Sequence, residues 1–126
     1  MTMEDREVAS VDTARSTAGD EVLRALLAIW VDVPPDFVAD FERWYDDDHL
    51  PERRALPHFL SATRFDGIDT SPNRMALYEL GTVAAVRTEA YLATRRAPDP
   101  PIGARVRAGW HGHTRVVYRL TRAFSA

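Results

Sequence analysis

The sequence predicts one α+β domain of the ferredoxin-like kind, with its elements in the order β-α-β-β-α-β. Three observations carry that expectation. Two short runs, "HFLSATRFDG" (58–67) and "RMALYEL" (74–80), flank the turn cluster "IDTSPN" as the arms of a hairpin do. Stretches with helical signals, 35–49 and 82–97, stand on either side of that pair. Apolar runs at 21–33 and 113–120 open and close the series.

Each element has its own local reason. "EVLRALLAIWVDV" (21–33) is rich in Leu, Ile, Val and Trp and is closed by Pro34-Pro35, which suits a buried strand. "PDFVADFERWYDDDH" (35–49) starts with a proline and an acid, both favoured in a first helical turn. Its Phe37, Phe41 and Trp44 recur at helical spacing, with Val38 and Tyr45 beside them. Pro51 is expected to end or kink this helix, because the residue before a proline avoids the helical region. Thr82 is a capping residue for the helix over 82–97, and the proline-rich "PDPPIG" (98–103) reads as a loop. "HTRVVYRL" is the last strand. The domain is expected over 21–121, with a polar tail at 1–20 and a short one at 122–126.

The first strand is apolar on both sides, Leu27 and Ile29 on one face and Leu26 and Trp30 on the other. A single sheet that is apolar on both faces in so small a chain is expected to cover its free face with a second copy, giving a homodimer.

Composition narrows the function. A net charge of −3 and a pI near 5.8 argue against nucleic-acid binding, which needs a positive surface. There is no cysteine, so thiolate metal sites, iron–sulfur clusters and a cysteine nucleophile are excluded. The polar first twenty residues lack the apolar stretch of a signal peptide, and the run Ala25 to Val31 is too short to span a bilayer. The expectation is a cytoplasmic protein with no membrane partner. No dinucleotide, phosphate-loop, G-x-S-x-G or H-E-x-x-H motif is present, so no cofactor and no metal are expected.

The segment "RWYDDDHLPERR" (43–54) holds the chemistry. On a regular helix His49 falls beside Val38 and Tyr45, at the flank of the buried face. A histidine gives and takes protons near neutrality, so His49 is the leading general acid or base; the competing role is a cation at a helix C-terminus. The same wheel turns Asp48 into the apolar stripe below Phe41 and Trp44. A carboxylate there needs a partner, such as Arg53 or Arg64, or shifts its pKa and carries protons. Asp46 and Asp47 are expected in water, and Glu52, Arg53 and Arg54 on a solvated surface.

Elsewhere, Tyr78 is either a hydrogen-bond donor to a substrate oxygen or core. Arg64 either holds an anion or bridges carboxylates. Trp44, Tyr45, Phe59 and Trp110 are candidate aromatic lining for a flat ligand, or plain core. His111 and His113 form an H-x-H pair with no third ligand in view, so lining a pocket mouth, or an exposed strand start, is preferred to metal binding.

"WYDDDHLPERRALPHF", then "TRF", "MALYEL" and "RVVYRL", resembles EthD-like proteins and related families of the dimeric α+β barrel superfamily. Trp44, Tyr45, Asp48, His49, Pro51, Glu52, Arg53, Pro57, Phe59, Arg64, Tyr78, Arg115 and Tyr118 carry the likeness, which runs over about 23–120. His58 departs from it, standing where the family's Pro-Gly-Phe turn has glycine. A reshaped turn, with an extra imidazole near the site, is the expectation. The resemblance implies the fold and a pocket between sheet and helices. Across the superfamily it implies chemistry ranging from cofactor-free oxygenases and isomerases to polyketide cyclases and haem enzymes.

The expected function is therefore a cofactor-independent enzyme acting on an aromatic or polyketide-like molecule by cyclisation, isomerisation or decarboxylation. His49, Asp48 and Tyr78 would be catalytic, and Trp44, Tyr45, Phe59, Arg64, Trp110 and His113 would bind substrate. The alternatives are a non-catalytic small-molecule-binding accessory protein and a cofactor-free monooxygenase.

Overall fold

A computed structural model describes residues 24–123. The expected tail at 1–20 lies outside the described residues, as does most of the tail at 122–126. Four strands, β1 (Ala25–Asp32), β2 (Phe59–Asp66), β3 (Arg74–Leu80) and β4 (His111–Arg119), form one sheet in the order β2-β3-β1-β4. Every neighbouring pair is antiparallel, with Leu27 opposite Tyr78 on one side and Val117 on the other. This is the expected ferredoxin-like order. The hairpin β2–β3 is present, and Asn73 ties its turn to the end of β1 by exchanging 2.9 Å hydrogen bonds with Val33.

Helices cover one face. The first is α1 (Val38–Trp44), continued by a π-helical turn, Tyr45–His49, and by α2 (Leu50–Arg54). Pro51 thus does not end the helix. A proline inside a helix removes one backbone bond and crowds the carbonyl one turn back. The chain just before Pro51 widens into a π turn, in which Leu50 N–H donates to Tyr45 O five residues back.

Past the hairpin, Thr82 caps a 3₁₀ turn, Val83–Arg87, and Thr88 caps α3 (Glu89–Arg96) by accepting from Tyr91 N–H. The predicted single helix over 82–97 is therefore broken at Thr88, whose own side chain restarts it. The predicted loop 98–103 is also partly wrong. A helix, α4 (Pro101–Gly109), begins inside it, with Pro101 in its first turn, where proline is favoured. Gly103 lets α4 approach α1 closely, because a Cβ there would stand 2.5 Å from Trp44 Nε1.

The core lies between this helical layer and the sheet, centred on Leu27, Val31, Trp44, Tyr78 and Tyr91. The sheet's other face keeps Leu26, Phe65 and Tyr118 exposed, with Trp30 edge-on to Tyr118.

His58 adopts a left-handed backbone, φ 69°, and its carbonyl accepts from Gly81 N–H at 2.9 Å. Its side chain is exposed and does not line the cavity described below, so no extra imidazole reaches that site. The histidine thus takes a backbone conformation that glycine adopts with less strain. Replacing His58 with glycine is expected to raise stability by about 0.5–1 kcal/mol, read as a higher midpoint in urea with an unchanged slope.

Candidate active site

The π turn decides which side chain reaches the interior. On a regular helix the residue four after Trp44 shares its face, and that residue is Asp48. The extra residue per turn hands the place to His49, whose ring lies 4.6 Å from the Trp44 ring and 4.8 Å from that of Tyr45, centroid to centroid. Asp48 is exposed and reaches only a small side recess beside His49 and Glu52. The expectation that Asp48 is buried is thereby corrected, and so is its pairing with Arg53 or Arg64.

His49 opens onto a cavity of about 330 Å³ between the helices and the inner face of the sheet. Across it stand two tyrosines from different elements, whose hydroxyls are hydrogen-bonded at 2.9 Å: Tyr45 from the π turn and Tyr78 from β3. Burial pushes Tyr45 up to about 12, and burial together with the neighbouring phenol raises Tyr78 well above its ordinary value. Both therefore stay protonated at neutral pH. Two hydroxyls that share one hydrogen bond leave one O–H proton over, a donor for a ligand oxygen.

Burial pushes His49 down to about 3, helped by the positive charges of Arg53 and Arg107 and by His113. The ring is neutral at physiological pH. Arg53 Nε donates to His49 Nε2 at 3.4 Å, a long bond, which leaves the ring proton on Nδ1.

This depression has a consequence for folding. The folded-state value lies below the unfolded one, so the unfolded chain takes up a proton first as pH falls. The stability contribution is complete above about 6.5 and is lost as pH falls toward about 3. Melting curves from about pH 7 to pH 4 are expected to show a steeper loss in the native chain than in His49→Gln, the gap being on the order of a few kcal/mol.

Several arginines line the rest of the wall. Arg53 is only 8% exposed and donates to Thr94 Oγ1, which in turn donates to Tyr91 O at 2.6 Å. Arg115, 7% exposed, donates from Nε to the Tyr91 hydroxyl at 2.9 Å. Both guanidinium groups also lie against the Tyr91 ring, 5.2 and 5.5 Å from its centroid. Arg107 sits between the rings of Trp44 and Trp110, 5.0 and 5.1 Å away, and is ion-paired to Asp99 at 2.7 Å. His113 is stacked on Trp110 at 5.0 Å.

Six of the residues named from sequence thus meet at one cavity: His49, Tyr78, Trp44, Tyr45, Trp110 and His113. Phe59 does not line it. Phe59 packs behind it, against Tyr78 at 5.9 Å and Tyr91 at 5.7 Å, and supports their rings. Arg64 is spent on carboxylates, with two 3.0 Å bonds to Glu42 and a 3.0 Å contact to Asp46, so the bridging role expected as its alternative is the one found. Among the described residues no group of three His, Asp or Glu could hold a metal ion, and His111 does not line the cavity.

Sequence reasoning missed the arginine-lined wall. Arg53 was placed on a solvated surface, although it follows His49 by one helical turn and so shares its face. Tyr91 and Arg107 had no motif to mark them. Arg115 had two signals, the family likeness and the alternation His113, Arg115, Val117 along β4, but neither gave it a role in the site.

No protein-family model matches the chain, and no curated protein matches it by sequence. Among solved structures, an EthD family protein from Bacillus halodurans is similar, with a TM-score of 0.50 and 19% identity over 75% of this chain and 95% of that one. SnoaB, a cofactor-independent oxygenase from Streptomyces nogalater, is similar at a TM-score of 0.44 and 16% identity, over 82% of this chain and 94% of that one. At such identity the likeness speaks to fold alone, and no chemistry is carried across. The strand order and the first of these structures agree: the chain has an α+β, ferredoxin-like fold, similar to that of an EthD family protein.

Proposed function

We propose that the chain is a cofactor-independent enzyme that moves a proton on a small aromatic molecule, driving cyclisation, isomerisation or decarboxylation. The observation that supports this is the meeting of a neutral imidazole, His49, with the doubly protonated pair Tyr45–Tyr78 at one small cavity. A neutral histidine is the form that accepts a proton. Taking one from a carbon beside a carbonyl turns that carbonyl oxygen into an enolate. The spare tyrosine proton and the nearby guanidinium groups are suited to that oxygen, since preorganised donors in a dry pocket lower such a barrier. Trp44 and Trp110 offer flat surfaces for the ring.

One observation favours a second reading, in which the same cavity only binds its ligand. The Nε2 lone pair that a base would use already accepts from Arg53. Deuterium exchange separates the two. Native mass spectrometry of the protein from its own cell identifies a retained molecule, which is then incubated with the protein in heavy water. Deuterium entering a carbon of that molecule, or its conversion to product, supports the enzyme. Retention with neither leaves the binding protein as the reading.

The chain is further proposed to act as a homodimer, with a second copy on the outer sheet face. Leu26, Phe65 and Tyr118, at 36%, 45% and 47% exposure, lie with Trp30 on that face, drawn from β1, β2 and β4. Light scattering is expected to give twice the chain mass of 14.2 kDa, and Phe65→Glu to halve it. A native monomer at micromolar concentration would remove the dimer.

A further inference from the structure

The two buried guanidinium groups on one tyrosine ring are the least expected feature of the cavity. Like charges brought together out of water repel, and each has lost part of its hydration. Arg53 is met by neutral groups: the His49 ring, the Thr94 hydroxyl and the Tyr91 face. Arg115 comes from β4 to the same ring. Four arginines in all line the cavity, the others being Arg95 and Arg107, against one carboxylate, Asp99. That acid is already ion-paired to Arg107. Among the described residues that line it, guanidinium groups therefore outnumber carboxylates, in a protein whose overall charge is −3. Burial depresses the basicity of His49 most, and the charges of Arg53 and Arg107 add to it.

We infer that the cavity's ligand is an anion, an aromatic monocarboxylate whose carboxylate is held by Arg53 and Arg115 while its ring lies toward Trp44 and Trp110. Planar guanidinium forks match a carboxylate and give strong, oriented bonds. The volume of about 330 Å³, near the lower end of the range for ligand pockets, selects a compact acid. This inference rests on the proposed site and adds a role for Arg53 within it. Arg53 is a positioning residue: when it turns to the carboxylate it releases His49 Nε2, so that the same ligand that needs the base also frees it.

The test uses matched probes, 2-naphthoate and 2-naphthamide, which differ in charge and hardly in shape. Calorimetry on the whole chain is expected to show the acid binding about tenfold or more tighter than the amide. The preference should weaken as salt is raised. Arg53→Gln is expected to reduce it to about twofold or less, and Arg53→Lys to keep a substantial part.

Nuclear magnetic resonance of the His49 ring supplies a readout that a merely structural arginine would not move. The titration midpoint should rise when naphthoate binds and stay put with naphthamide. Equal binding of the two probes, or binding of neither, would overturn the inference. So would a preference that survives in folded Arg53→Gln. Should that variant not fold, the matched pair and its salt dependence on the native chain still decide. Failure of the proposed chemistry looks different: no deuterium enters any carbon acid, yet the preference for the acid stands.

Discussion

His49→Gln is expected to lower turnover by roughly 10²–10⁴-fold while ligand affinity changes only a few-fold. Glutamine keeps a polar group of similar length in the turn between Tyr45 and Leu50, and it can still hydrogen-bond. It cannot take up a proton. If His49 accepts the proton in the transition state, kcat falls and KM holds. If it merely fills space beside Trp44 and Tyr45, activity survives and only the melting temperature moves. The measurement is steady-state kinetics on the retained molecule, or its rate of deuterium exchange. Surviving activity would shift attention to the Tyr45–Tyr78 pair, where Tyr78→Phe removes one hydroxyl without changing the ring.

The second large effect is on stability. Trp44→Ala is expected to cost about 3–5 kcal/mol, a large part of the roughly 5–15 kcal/mol that holds a whole domain folded. Trp44 is 2% exposed, and its ring touches those of Tyr45, His49 and Trp110 and carries Arg107 on its face. Its removal also leaves the gap that Gly103 keeps open for the indole, which the backbone of α4 fills only by moving. Chemical denaturation should show the loss in full, and Trp44→Phe should recover much of it. A loss below about 1 kcal/mol would mean that Trp44 is a ligand platform rather than a core residue. The structure gives it both positions, core on one side and cavity wall on the other.

Much of this molecule was legible in local pattern. Alternation in 58–67 and 74–80 reports a strand with one face inside, because successive side chains point to opposite faces whatever lies beyond. The stripe Phe37, Phe41, Trp44 reports a buried helix face for the same kind of reason. The β2–β3 hairpin and the two-faced first strand followed, and the sheet order was already implied by the element order. All of α4 was missed because Pro98, Pro100 and Pro101 read together as breakers, when one of them stands in a first helical turn.

The site was legible as a neighbourhood and not as an arrangement. A helical wheel assumes one constant turn, and the π turn at Tyr45–His49 shifts the phase by one residue. That single step exchanges Asp48 for His49 in the interior. It also lets the chain run through Pro51, so that Arg53 follows His49 onto the inner face rather than lying in solvent.

The fold class and the buried aromatic face were legible along the chain. Those depend on the spacing of apolar side chains, a local property. Only the tertiary structure brought the arginines of the cavity together. Arg53 from α2, Arg107 from α4 and Arg115 from β4 are far apart along the chain and have no shared motif. Nothing local to any of them shows that it meets the others. Whether a guanidinium is solvated or buried is set by what packs across from it, and that is known only once the sheet has brought the helices together.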